Sequence, residues 1–485
     1  MKIFKNDTFF FGFLFTLVTI LFRNAFQIKF FQDDYFFIHI SNAKNLEDVL
    51  RFFSPFRTYS YKPLATEVFY FILKLLHYNT FIGHVIVFLT YFIGLIFLYK
   101  CLKIVTKNSS LSKLAVFIYA VSFIHVFQLY WLATYQEVLS FTALSASFYY
   151  YLQKKLFPGI IWFIAALLSK ETALLYIPFL FIFEFIKQKR IVIKENRLNI
   201  VIYTLIAVLF YFGISRFSLP YVTALDNYKI QPTNLKLFLN NAMWYFLWSL
   251  GLPNFMPDVT KSIFSAPLPA FTASWKDPTT RLYFYLLIPF ISLFALTCIS
   301  LLVKFRKTAL KTIGVTVLLI ILFYVFLGPI LFFKHKWMVR LMLPHVFIAI
   351  LIAWIIYQLG KAPGLWRYLS SLTFIFFLLA TISGIKLHES SSTYLLELRV
   401  FNNVNKYFSQ NANTIGKYKY IYFGDKGIGK DIQLWGSEKI INSLHDQDFI
   451  DYFLPYSHIK VLYGFKTNKI PQNSYIINSW EMLRY

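Results

Sequence analysis

The stretch FFFGFLFTLVTILFRNAFQIKFFQDDY, Phe9 to Tyr35, decides how this chain is read. Phe9–Phe22 carries no charge, and the apolar run continues to about Ile28, long enough to cross a bilayer. The chain then emerges at Lys29 and meets two adjacent carboxylates, Asp33 and Asp34. Carboxylates at the mouth of a membrane domain are costly unless water, a partner or a substrate uses them. They point to a reaction at a membrane face rather than to a passive pore.

Composition agrees with that start. Of the 485 residues, 58% are hydrophobic and 21% aromatic, with 58 Phe. The mean hydropathy is +0.56, and soluble domains rarely combine such values. We read Phe as lipid-facing and packing bulk. The net charge of +26 raises nucleic acid as a partner, but no basic stretch is interleaved with exposed aromatics as a nucleic-acid groove would be. Basic loops that fix membrane orientation and face anionic lipids account for the charge better. Cys101 and Cys298, the only cysteines, fall near inner ends of expected spans, which argues against a disulfide framework. The first span lacks a small-residue cleavage site and is expected to be a retained anchor.

Apolar length predicts about eleven spans: 8–28, 80–99, 112–132, 134–152, 156–169, 172–186, 198–218, 282–303, 312–333, 341–358 and 366–384. Lys2 and Lys5, the lysines Lys100–Lys113, Lys154 and Lys155, the cluster Lys187–Arg197, Lys304–Lys311, and Lys361 with Arg367 all fall on one side if the N-terminus is cytoplasmic. The aspartate pair and the C-terminal tail are then extracytoplasmic. Residues 156–186 are expected to form a tight hairpin, because one long helix would put Lys155 and Lys189 on opposite sides. Each arm spans only roughly 21–24 Å against a core of roughly 30 Å. Lys170 and Glu171 at its tip would therefore sit below the outer surface and need a polar cavity.

Two external loops are long, 29–79 and 219–281, and long loops in a compact membrane protein are usually functional. The first carries an amphipathic segment, Asn45–Phe53, suited to an interface, and an apolar stretch, Leu64–Leu76, that is short for a span. The second is punctuated by prolines and holds an expected amphipathic helix from Asn234 to Trp248. Residues 1–384 are thus expected to form an all-α polytopic membrane domain. The tail 385–485 is expected to be a small soluble α/β unit, with strand-like Tyr418–Phe423, His458–Tyr463 and Ser474–Ile477 and helix-like Asp431–Leu444.

On the outer side gather Asp33, Asp34, Lys62, Glu137, Lys170, Glu171, Lys334, His335, Lys336 and Arg340. The cations suit a phosphate, through charge-assisted hydrogen bonds, and a carboxylate can take a proton from an attacking hydroxyl. The Lys334–Arg340 cluster breaks the positive-inside pattern, which suggests an anionic ligand. Each feature has a plainer alternative. The aspartates can cap the juxtamembrane segment or hold an incidental cation. Lys170 and Glu171 can be an ion pair closing the hairpin. Lys334–Arg340 can meet lipid headgroups, and Glu137 can be an interfacial residue. His39, His77, His84 and His125 show no metal-ligand spacing and are taken as structural. The Asn-x-Ser/Thr matches at Asn6 and Asn108 lie on the cytoplasmic side. Nothing resembles a Walker loop, which disfavours nucleotide-driven transport.

The order of these motifs resembles the GT-C superfamily of membrane glycosyltransferases, especially the branch of protein O-mannosyltransferases and the lipid A aminoarabinose transferase. The likeness covers residues 1 to about 385. It rests on the acidic pair after the first span, Tyr61-Lys-Pro-Leu64, the Glu137 that opens span four, Ser169-Lys-Glu-Thr-Ala173 at a hairpin, and Arg340-Leu-Met-Leu-Pro344. The chain departs in having Asp-Asp where the mannosyltransferases have Asp-Glu, Lys62 where an Arg is common, and Leu341 where a Tyr often follows the late Arg. The resemblance implies a polyprenyl-phosphate-sugar donor, used on the extracytoplasmic face with inversion at the anomeric carbon, and an acceptor that is a protein, glycan or lipid. Asp33 would be the general base, and Asp34 would orient it or contact the sugar. Lys170 and Arg340, with Lys62, Lys334 and His335, would neutralise the departing lipid phosphate, which replaces a metal and a general acid; Glu137 and Glu171 would support them. Some relatives use a divalent cation near the acidic pair, so metal dependence stays open. The alternatives are a transporter or flippase of lipid-linked sugars and a membrane polysaccharide polymerase or ligase.

Overall fold

A computed structural model describes residues 6–188, 197–217, 220, 228–260, 266, 268–304, 309–390, 392–425, 436–455, 458–467 and 469–483. Among the expected basic loops, Lys2, Lys5, Lys189, Arg190, Lys194, Arg306 and Lys307 lie outside those residues.

The described chain is mainly helical. Five helices are long and apolar enough to cross a membrane: Thr80–Thr106, Arg197–Ile214, Pro278–Lys304, Thr312–Phe332 and one that starts at Leu365. A sixth joins them if the bent pair Ser109–Val121 and Phe123–Tyr130 counts as one span. The eleven spans expected from the sequence are therefore not reproduced as eleven spanning helices. The reasons are local. The first segment, expected to run to Ile28, is helical only over Asp7–Leu21 and then tightens into a 3-10 turn at Arg23–Gln27, where Arg23 ends the uncharged run. Its 15 residues make roughly 22 Å of helix. The third segment bends by 45° where Ser122 becomes extended, and it ends where Trp131 does the same. Leu156–Leu167 and His345–Gly360 are apolar but short. The fourth, Tyr135–Leu152, is long enough but carries Gln136, Glu137 and four serine and threonine side chains.

Helix Thr80–Thr106 is held closely to Tyr135–Leu152. A Cβ on Gly94 would come within 2.5 Å of the Phe141 ring, so only glycine lets the two backbones approach this far. At one end of the bundle Asp7 accepts from Tyr99 (2.8 Å) and pairs with Lys103 (3.0 Å) and Lys113 (2.7 Å).

The apolar stretch after Lys62 is not one long helix. It forms a π-turn, Leu64–Val68, and a short helix, Phe69–Leu75, packed inward through Ala65, Phe69, Tyr70 and Leu73. The π-turn points Glu67 into the interior, where it meets Arg57; both side chains are buried. Arg57 also donates to the Ser54 carbonyl (3.1 Å) and lies under the rings of Tyr59 and Tyr61. The amphipathic segment forms helix Leu46–Arg51, capped by Asn45, with Leu46 and Leu50 exposed. The expected helix in the second loop forms over Leu235–Ser249, capped by Asn234.

The C-terminal strands fall within about two residues of their expected places. They are β1 Tyr420–Gly424, β2 Lys460–Tyr463 and β3 Ser474–Asn478, all parallel in the order β2-β1-β3. Of the expected helix 431–444, Gly436–Leu444 is helical and the start lies outside the described residues. Ile421, Phe423, Tyr463 and Ile477 bury one face of the sheet with Phe449 and Phe408. The unit packs on the helix that carries the acidic pair, Asp33–Ile40. The Gln32 amide donates to the Ser443 carbonyl at 2.7 Å, Tyr35 packs edge-on against Tyr452, and His39 bonds Asp451.

Candidate functional site

The acidic pair divides into two unlike residues. Asp34 is fully buried. Its carboxyl accepts from the Phe31 amide (2.9 Å) and from the Tyr70 hydroxyl. It fixes the turn into its own helix, a turn in which Gln32 is held at φ 51°. Burial pushes the Asp34 carboxyl up to about 8, against the pull of those two bonds. Asp33 points the other way, with 49% of its side chain exposed. It lines a cavity of about 480 Å³ with Gln32, Lys439, Asn442, His445 and Asp446. Loss of water raises the Asp33 pKa, and the charges of His445 and Lys62 oppose that rise. Of the roles the resemblance implies, Asp34 can orient its neighbour but cannot touch a sugar.

The state of Asp34 gives a stability prediction. Its folded pKa of about 8 lies above the model-peptide 3.8. Between those values the unfolded chain has lost this proton while the folded chain keeps it. The folded state binds more protons there, so stability falls as pH rises through that window. The apparent melting temperature of the wild type in detergent should therefore decline between pH 5 and 8 relative to Asp34→Asn, whose side chain does not titrate; parallel curves would refute a protonated Asp34.

Of the cations and acids named at the outer side, Lys62, Glu137, Lys170, Glu171 and Arg340 come together, with different partners, while Lys336 lies near Asp258. Lys170 is paired with Glu137, and both side chains are buried. Glu171 instead faces Lys62 at 3.6 Å. Of the plainer alternatives, an ion pair between Lys170 and Glu171 is not what the structure holds, and Glu137 is buried rather than interfacial. The reason is the hairpin tip. Lys170 is extended and Glu171 begins a 3-10 turn, so neighbouring side chains diverge. The tip is stitched to the first loop by a hydrogen bond from the Leu64 amide to the Leu168 carbonyl, 3.1 Å. Lys62 and Arg340 both lie within electrostatic reach of Glu171.

Arg340 donates to the His335 carbonyl (3.0 Å) and sits 5.7 Å from the ring centres of Tyr228 and Phe333. It also lies 3.4 Å from His335 Nδ1. A guanidinium can only donate, so Nδ1 accepts and the proton is on Nε2. Burial, with Arg340 and Lys336 nearby, lowers the His335 pKa to about 4. At neutral pH His335 is therefore a neutral donor, not a cation. Lys334 is exposed beside it. The basic segment is held from the second loop: Tyr245 accepts from the Trp337 amide and Asn254 from the Met338 amide, each at 3.3 Å. Trp337 packs on Trp131, which stacks on Phe31 and donates to its carbonyl. This aromatic column ties the Arg340 segment to the turn that carries Asp33.

Sequence reasoning missed Arg57 and Glu67, which brace the loop carrying Lys62, and the whole contribution of the C-terminal unit. Glu397 is buried, pairs with Lys439 (2.5 Å) and accepts from Gln32 (3.2 Å). His445 lies 3.6 Å from Asp33. No local signal marks Glu397 and His445 as neighbours of the acidic pair, because Gln32 and Asp33 are hundreds of positions away. The histidines read as structural include His84 and His125, both buried and bonded to the carbonyls of Leu129 and Tyr119. Cys101 and Cys298 are free thiols.

No family model matches the chain, and no curated protein matches it.

Proposed function

We propose that this chain is a GT-C-like, inverting glycosyltransferase of a bacterial-type cytoplasmic membrane, one that moves a sugar from a polyprenyl-phosphate donor to an acceptor hydroxyl on the extracytoplasmic face. The carrying observation is the division of labour around Asp33. One accessible carboxylate faces a polar cavity, while Lys62 and Arg340 lie close by at the same end of an apolar bundle. An apolar cavity of about 650 Å³ supports a lipid-borne donor. It runs from Leu343 and Tyr176, towards this end, past Phe179 and Phe326 to Lys107, Lys154 and Lys187 beside the basic loops. In this reading the shorter apolar helices complete the membrane domain alongside the five or six long ones, and the basic loops face the cytoplasm.

The reaction forms a bond from the acceptor oxygen to the anomeric carbon and breaks the bond to the phosphate oxygen. Asp33 takes the hydroxyl proton as the oxygen attacks. The electron pair of the broken bond goes to the phosphate, where Lys62, Lys334 and Arg340 offset the charge and His335 donates from Nε2. Lys170 is committed to Glu137 and positions the hairpin tip rather than the phosphate.

The test is release or transfer of radiolabel from a panel of polyprenyl-phosphate sugars by the purified protein. Turnover of one donor supports the reading. Donor binding without turnover of any, insensitive to Asp33→Asn, supports the flippase instead.

A further inference from the structure

The cavity beside Asp33 has a second wall, and that wall belongs to the C-terminal unit. His445 sits there in an unusual turn. Both His445 and Asp446 have left-handed backbones, φ 55° and 56°, which cost non-glycine residues free energy unless the surroundings hold them. The surroundings do hold them. The Asp446 amide donates to the Ile441 carbonyl, and the Tyr463 hydroxyl to the Asp446 carbonyl at 2.6 Å. Gln447 bonds both the Ile459 carbonyl and the Val461 amide, each at 2.8 Å. The turn is therefore fixed to β2, while the neighbouring Ser443 carbonyl is fixed to Gln32, next to Asp33.

The result is a directed arrangement. His445 Nδ1 is 2.7 Å from Asp448 Oδ2, and His445 Nε2 is 3.6 Å from Asp33 Oδ1. The Phe36 ring packs against the imidazole, 5.4 Å between centres. A carboxylate beside each ring nitrogen favours the doubly protonated imidazole: Nδ1 shares a hydrogen bond with Asp448, and the charge of Asp33 attracts the positive ring across 3.6 Å. The other charged groups around it are Asp446, itself paired with Lys466 (3.1 Å), Lys439, paired with Glu397, and Lys62 on the far side of Asp33.

We propose that His445, clamped by Asp448, is a positioning residue of the C-terminal unit whose imidazolium is the counter-charge that keeps Asp33 a carboxylate. This rests on the reading of Asp33 as the base. It gives the C-terminal unit a part in the reaction: docked, it completes the base. The direction of the shifts agrees. Burial would lower the His445 pKa, but the bond to Asp448 and the charge of Asp33 outweigh it and the net shift is upward.

The test needs no activity. Exchange of the imidazole C2 proton, followed by mass spectrometry across pH on the full-length protein, reports the protonation midpoint of His445. The midpoint should lie above 6.5 in the wild type and fall by about one pH unit in Asp33→Asn and in Asp448→Asn; both substituted side chains are partly exposed, so the fold should tolerate them. An Asp33→Asn midpoint equal to the wild type would overturn the proposal whatever the protein catalyses. Where transfer is measurable, His445→Gln should move the acid limb of the pH–rate profile to higher pH, as Asp33 then protonates more readily. An unmoved limb would likewise overturn it. A coupled midpoint without any transfer would leave the charge pair standing and sink the glycosyltransferase reading alone.

Discussion

Asp33→Asn is expected to lower sugar transfer by about 10²–10⁴-fold, the range typical for loss of a positioned general base. The size follows from the chemistry. A lipid phosphate is already a good leaving group, so the step most in need of help is removal of the proton from a weakly acidic acceptor hydroxyl. Asparagine keeps the shape of the side chain and loses the basic oxygen. Donor affinity should survive, because Lys62 and Arg340 are untouched. The expected signature is a collapse of kcat with little change in the binding of a radiolabelled donor. Asp34→Asn separates the two carboxylates by mechanism. Asp34 faces no cavity, so its loss should act through the turn at Gln32, with a lower melting temperature as the first sign. An Asp33→Asn protein that turns over like the wild type would remove the base from the reading and with it the enzyme.

The sequence made some of this legible, and physics explains which part. Apolar runs show where a chain leaves water, so the helix-rich membrane character and the approximate place of each segment could be read. Whether a run becomes one spanning helix depends on single residues, Arg23 after Leu21 or an extended Ser122, whose effect is decided by the packing around them. The small sheet was legible because period-two patterns survive without tertiary context. Sidedness led us to expect Asp33, Lys62, Glu171 and Arg340 together; the structure puts Lys62 near Asp33 and Glu171, and Arg340 near Glu171. Pairing was not legible. Lys170 had two acids to choose from, and the nearer in sequence was the wrong one, because backbone direction at the hairpin tip sends adjacent side chains apart. Arg57 with Glu67, Glu397 with Lys439 and His445 with Asp33 left no trace at all. Arg57 and Glu67 meet only because the π-turn sends Glu67 inward, the other two pairs join segments that only the fold brings together, and a charged residue in a polar tail looks the same whether it ends in solvent or against Asp33.

The buried Lys170–Glu137 pair supports the second large prediction. Taking two charges out of water is expensive, and the cost is recovered only while both remain. Lys170→Met leaves Glu137 ionised or protonated without its partner and should destabilise the protein by about 3–5 kcal/mol, read as a sharp fall in apparent melting temperature. Glu137→Leu should cost about the same for the mirror reason. The double variant Lys170→Met/Glu137→Leu removes the orphan in both cases and should recover most of the loss, since apolar replacements of buried pairs are often neutral; the non-additivity is the measurement. Its activity then decides what Lys170 is for. If the lysine only braces the hairpin tip, the stable double variant holds Lys62 and Glu171 in place and still transfers sugar. If the lysine leaves Glu137 to meet the donor phosphate, the double variant folds as well as before yet loses turnover, because no cation replaces it. The buried geometry favours the first outcome: a lysine already matched to a carboxylate would have to surrender that pair, inside the protein, at the moment the phosphate departs.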